Sequence, residues 1–150
     1  MASSESALLK LELQTDGEND STWGSKTNTN LQLLEQAAHG LSSVAVTASN
    51  VTLTDTAYAT NEARKLYINV TGALTGNRSV IVPARTHLYM VFNNTTGAYD
   101  LTVTTSGGTG IIVPQGQRTI LWCDGTNVVT AVDAIDSDNA PNIIANRVFS

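Results

Sequence analysis

Residues 117–132 read QRTILWCDGTNVVTAV, two apolar runs on either side of Asp124-Gly125. An Asp-Gly pair between runs rich in Ile, Leu, Trp and Val is the strongest short-range hairpin signal a sequence offers. The glycine supplies the positive φ that a tight two-residue turn needs. The same unit, a short run of strand formers closed by turn residues, recurs upstream. Candidate strands cover 43–47, 50–54, 65–71, 78–82, 87–93, 99–105 and 110–113, followed by 117–123 and 126–132 of the hairpin itself. Between them lie Gly72, Gly76-Asn77, Asn93-Asn94 through Gly97, Gly107-Gly108 and Pro114-Gln115-Gly116. Pro83 and Pro114 each close a strand, where a missing N–H costs least.

A spacing of about ten residues per strand is that of a sandwich or barrel and not of alternating strands and helices. The expected fold is therefore mainly β: an antiparallel, jelly-roll-like sandwich or barrel over residues 41–132. No tandem repeat of solenoid type is visible, although the units from residue 65 onward keep a loose rhythm.

Toward the N-terminus the period changes. Leu31, Leu34 and Ala38 fall at i, i+3 and i+7, and Leu33 with Ala37 widens the stripe, which predicts one helix of about ten to twelve residues between Thr27 and His39. Thr27, Asn28 and Asn30 compete as its N-cap, and Gly40 stands where a left-handed C-terminal residue belongs. Before it, residues 15–24 (TDGENDSTWG) form a polar loop containing Trp23. Residues 7–14 alternate as a half-buried strand with Leu9, Leu11 and Leu13 on the inner side, and residues 1–6 read as a mobile arm. Residues 1–40 are thus an attachment segment of arm, loop and helix. Residues 133–150 form a C-terminal arm, acidic at first and ending in Ile143, Ile144, Val148 and Phe149, which have too few neighbours in sequence to make a core of their own.

The chain of 150 residues is 41% hydrophobic but only 14% charged, against about a quarter charged in typical globular chains. Thr, Asn, Ser and Gly replace the charge, and such neutral polar surfaces are cheaper to desolvate where subunits pack together. A net charge of −5, with eight scattered basic residues, leaves no phosphate-tracking stripe and argues against nucleic acid. Cys123 is the single cysteine, so neither an intrachain disulfide nor a cysteine-based metal site is expected. No apolar run reaches the length of a signal peptide or membrane span, which places synthesis in a cytoplasm and predicts no membrane partner.

Catalytic chemistry finds little support. Nucleophilic catalysis needs a base held beside the nucleophile, yet His39 closes a helix, His87 opens a strand, and no GxSxG is present. The acids lie mostly in loops and termini, without the opposed pairing that glycoside hydrolysis requires. Asp16, Glu18 and Asp20 alternate like the start of a calcium loop, but the twelfth position of such a loop is Thr27 and not Glu. The Asn-X-Ser/Thr triplets at Asn19, Asn50, Asn69, Asn77, Asn93 and Asn94 follow from an Asn- and Thr-rich composition. The expectation is a non-enzymatic protein with no catalytic residue, cofactor or metal. Trp122, inside an apolar strand, is expected in the core. Trp23 either staples its loop to the domain or anchors an interface, where Trp is over-represented.

Residues 17–38 (GENDSTWGSKTNTNLQLLEQAA) carry Asn19, Thr22, Trp23, Gly24, Asn28, Asn30, Leu31 and Leu34 in an order that resembles the G-x-N-x-x-T-W-G…N-x-N-L segment of tail-fibre and minor virion proteins of tailed bacteriophages. The stretch from Val51 to Val132, ending in CDGTNVV, looks like the β-rich module that follows that segment in those proteins. The resemblance spans some four-fifths of the chain. It implies a virion protein, usually trimeric, that binds other phage virion proteins of capsid or tail, as a head-decoration (cement) protein or a tail-fibre or adaptor protein. No catalytic residue comes with it. A fibre normally continues into a longer shaft or tip, so a chain stopping at Ser150 raises the decoration and adaptor readings. The alternative is a receptor- or carbohydrate-binding module using Tyr58, Tyr99 and Trp23. The interface residues expected are Trp23, Asn28, Asn30, Leu31 and Leu34 on the first segment, and Ile143, Ile144, Val148 and Phe149 on the last.

Overall fold

The computed structural model describes residues 2–132. The C-terminal arm, with Ile143, Ile144, Val148 and Phe149, lies outside the described residues. Two antiparallel strands of two residues each, β1 (Ser4–Glu5) and β2 (Glu12–Leu13), come first, then helix α1 (Trp23–His39). The β domain follows: β3 (Leu41–Ala45), β4 (Val51–Thr52), β5 (Tyr67–Ala73), β6 (Arg78–Val82), β7 (Thr86–Thr96), β8 (Leu101–Thr105), β9 (Gly110–Val113), β10 (Arg118–Asp124) and β11 (Val128–Thr130). The expected β-rich character and single helix are both present.

The pairing is not that of an antiparallel jelly roll. A five-stranded sheet runs in the order β11-β10-β7-β5-β3 and a four-stranded sheet in the order β4-β6-β8-β9, neither of them closed. From β3 to β8 the chain steps to the other sheet at every strand. Each strand lies parallel to the one two before it: β3 with β5, β5 with β7, β4 with β6, and β6 with β8. Tyr67 pairs with Met90 and Arg78 with Leu101, each an advance of 23 residues. The chain therefore winds like a short two-faced solenoid, contrary to the sequence expectation. Antiparallel pairing returns only at β8–β9, β7–β10 and the β10–β11 hairpin around Asp124-Gly125. The reason for the discrepancy is local. Gly76-Asn77 and its counterparts do mark corners, but a turn residue does not specify whether the next strand folds back alongside or crosses to the facing sheet.

Alternation along each strand sends one set of side chains into the space between the sheets. Ile68 and Val70 from β5, Tyr89 and Val91 from β7, Val80 and Val82 from β6, and Leu101 and Val103 from β8 join one buried cluster with Leu121 and Cys123. Strand β7 is the pivot, antiparallel to β10 over its first half and parallel to β5 over its second. Its inward positions turn polar past the end of the β10 pairing at Phe92. Buried Asn93 donates through Nδ2 to the Val113 carbonyl at 2.7 Å and accepts at Oδ1 from the Thr95 hydroxyl and N–H. These bonds anchor the end of β9 and satisfy groups that water cannot reach. At Gly72 in β5, φ is +117° and an added Cβ would lie 2.3 Å from the Val46 carbonyl oxygen, so only glycine lets the strands approach there.

Three local expectations are corrected in the N-terminal segment. Helix α1 spans 17 residues and begins at Trp23 with Thr22 as N-cap, not Thr27, Asn28 or Asn30. The Asn19 carbonyl accepts the N–H groups of Thr22 and Trp23 and so starts the turn early. Gly40 is extended (φ −68°, ψ 141°) and leads directly into β3. Its glycine is needed because a Cβ would meet the Gln36 carbonyl oxygen at 2.4 Å. The strand expected over residues 7–14 is reduced to Glu12–Leu13, and Ser4–Glu5 of the supposed arm pairs with it. Its polarity is also inverted, with Glu12 buried and Leu13 half exposed. The Asn30 side chain accepts the Glu12 N–H and donates to its carbonyl, while Lys26 pairs with the Glu12 carboxylate at 3.1 Å.

Candidate interaction surfaces

Helix α1 buries little for its length. Leu33 is its one fully buried residue, and it lies outside the main core cluster. Trp23 (63% exposed), Leu31 (58%) and Leu34 (42%) face solvent. Thr27, Leu31, Leu34 and Ala38 follow a four-three-four spacing, which forms a continuous seam on a helix and is the repeat by which helices pack side by side. The exposure of Trp23 removes the staple reading. Asn28 is exposed beside this seam, whereas Asn30 is occupied within the chain by its two bonds to the Glu12 backbone.

A second surface is the outer face of the five-stranded sheet. Register aligns Leu41, Tyr67, Met90 and Ile120 in one row across four strands. Leu88, Trp122 and Val129 form the row on one side, and Ser43, Asn69, Phe92 and Arg118 the row on the other. The expected core position of Trp122 is thus wrong: it is 40% exposed, because Leu121 and Cys123 take the inward positions of β10 and the period of two leaves Trp122 outside. A groove of about 520 Å³ runs along this face, lined by Leu41, Tyr67, Met90, Phe92, Arg118 and Ile120 with Asn69 and Thr119. The Arg118 guanidinium carbon sits 3.9 Å from the centre of the Phe92 ring, a cation–π contact at the rim of an apolar trough. The outer face of the four-stranded sheet is more polar, since Thr52, Ser79, Thr102 and Thr104 stand there around Ile81 and Ile112. Sheets with parallel strands are normally covered on both faces; here the apolar outer face has no cover among the described residues.

Elsewhere the polar chemistry is structural. Arg64 is fully buried and donates to the carbonyls of Leu9 (2.7 Å) and Ala59, binding the N-terminal segment to the loop that precedes β5. Desolvation lowers its pKa, with the Arg85 charge adding to the effect. Arg85 pairs with Asp55. His87 packs edge-on against Tyr89 with ring centroids 4.5 Å apart, and burial first, then the Arg85 charge, hold its pKa below the ordinary value. The Tyr89 hydroxyl donates to the Ala63 carbonyl at 3.1 Å, and burial raises its pKa. Tyr58 is engaged with the N-terminal segment, its N–H donating to the Lys10 carbonyl at 2.9 Å. Glu18 accepts the Ser3 hydroxyl at 2.9 Å, which lowers its pKa. Among the described residues, no three His, Cys, Asp or Glu side chains gather to hold a metal ion, and no helix is long and apolar enough to cross a membrane.

Sequence reasoning singled out the helix face but missed the sheet face. Its signal was present in the pairs Leu41 with Tyr67 and Met90 with Ile120, which only the strand order brings together. No known protein family, curated protein or solved structure matches this chain.

Proposed function

We propose that this chain is a structural, non-enzymatic component of a tailed-bacteriophage virion, a homotrimer that binds other virion proteins as a capsid-decoration or tail-adaptor protein. The observation that carries the proposal is helix α1, which presents Trp23, Leu31 and Leu34 to solvent along one seam while burying only Leu33. An exposed apolar stripe of this kind is what a self-associating helix offers its copies. The three-fold order and the virion setting rest on the resemblance of residues 17–38 and 51–132 to phage virion modules. A surface with few charges supports the same reading, because little charge has to be desolvated on assembly. The mechanism is passive: apolar area is buried between copies, and the polar rim of Thr and Asn fixes orientation.

Light scattering on the purified chain, combined with a density map of whole phage particles, tests the reading. The expected results are a mass three times the 15.8 kDa of the monomer and a three-fold density on the particle with α1 at its axis. A monomer in solution and on the particle, or absence from the particle, would overturn it.

A further inference from the structure

We propose that the groove on the outer face of the five-stranded sheet is the docking site for residues 133–150 of the same chain, with Asp133 pairing Arg118 where the segment enters. Three observations lead there. The first is position. The Ala131 N–H donates to the Ile120 carbonyl at 3.0 Å, so β11 is still following β10 at that point. The antiparallel register pairs Leu121 with Thr130, so the last described residues run toward the Arg118 end of the groove. The chain therefore leaves the described residues at the edge of the groove itself.

The second is chemistry. Arg118 stands at the groove rim against Phe92 and forms no ion pair among the described residues. Asp133, Asp136 and Asp138 follow within six residues, and then Ile143, Ile144, Val148 and Phe149 supply apolar side chains to a trough whose walls are apolar. Asn69 Oδ1 in the groove lining lacks a hydrogen-bond partner among the described residues, as an acceptor awaiting a backbone N–H would. The third is reach. From β10 to β3 the groove crosses three strand spacings, roughly 14 Å. The nine residues 134–142 extend to roughly 30 Å, so the apolar end of the segment attains every part of the groove. A tethered segment also competes at a high effective concentration against any free partner.

The inference goes beyond the virion reading and is tested separately from it, in the full chain carrying Leu34→Asp so that association through α1 plays no part. Ile120→Cys places a thiol on the groove floor, while the buried Cys123 serves as an unreactive internal reference. The rate of thiol modification should be suppressed at least about tenfold relative to the same protein carrying Ile143→Asp and Ile144→Asp, and independent of protein concentration. Asp133→Arg should restore fast modification, and adding Arg118→Asp to it should slow modification again. Full reactivity of the thiol in the unaltered segment overturns the proposal. Protection that grows with protein concentration overturns it too, since a second copy would then be the cover.

Discussion

Leu34→Asp is the substitution that bears most directly on assembly. Leu34 is 42% exposed in the monomer and Leu31 58%, so together they leave about one leucine side chain per protomer to be buried in a helix seam. Complete burial of a leucine is worth roughly 1.5–3 kcal/mol. The Leu34 share is then roughly 0.6–1.3 kcal/mol per protomer, or about 2–4 kcal/mol over three copies. Three carboxylates brought close to one another in an apolar seam add to that loss. At about 1.4 kcal/mol per factor of ten, the trimer constant should fall by at least roughly one and a half to three orders of magnitude. Sedimentation velocity across micromolar concentrations reads this as a shift from trimer to the 15.8 kDa monomer. The thermal midpoint of the β domain should barely move, because Leu34 lies outside its core and such surface changes usually stay within about 0.5 kcal/mol. Leu33→Ala is the contrast: Leu33 is 2% exposed, so its truncation should cost about 2–5 kcal/mol of folding stability. A Leu34→Asp protein that stays trimeric, or one that loses its β fold, would refute the reasoning.

Asn93→Ala strips buried partners from the Val113 carbonyl and the Thr95 N–H and should cost about 2–4 kcal/mol in urea unfolding. Gly72→Ala forces a side chain onto φ +117° and against the Val46 carbonyl; a loss of at least about 2 kcal/mol is expected, with β3 the first strand to lose amide-exchange protection. His87 has a folded pKa depressed below that of the unfolded chain, by burial and then by Arg85, with hydrogen bonding to the Lys65 and Arg64 backbone and the Asp55 charge opposing. The unfolded chain therefore binds the proton more readily, so stability is complete above about pH 6.5 and declines as pH falls from there toward the folded pKa. His87→Asn should flatten that slope in urea midpoints measured on either side of the window. Asp124 accepts the N–H groups of Thr126 and Asn127, which lowers its pKa. Asp124→Ala should loosen the β10–β11 turn, seen as faster amide exchange at Val128.

Residue type and spacing alone establish much of this protein. The β10–β11 hairpin follows from a turn signal, Asp124-Gly125, set between two apolar runs, and the helix from an apolar period near 3.6. The strand positions from residue 65 onward follow from alternation between turn residues. These are short-range properties, encoded within a few residues of where they act. Which strand lies beside which is a long-range property, and there sequence and structure part. Tyr67 meets Met90, and Arg78 meets Leu101, because successive coils stack across 23 residues, a distance over which no turn residue exerts control. The direction in which Trp122 points shows the same limit: a strand has two faces, and only the packing of Leu121 and Cys123 between the sheets decides which one is buried. The inversion at Glu12 is a third case, where the amide of Asn30, 18 residues away, clamps the backbone and outweighs the local leucine pattern. The apolar outer face is the sum of these long-range choices. Leu41, Tyr67, Met90 and Ile120 are scattered over eighty residues of sequence and become one surface only when four strands set them side by side.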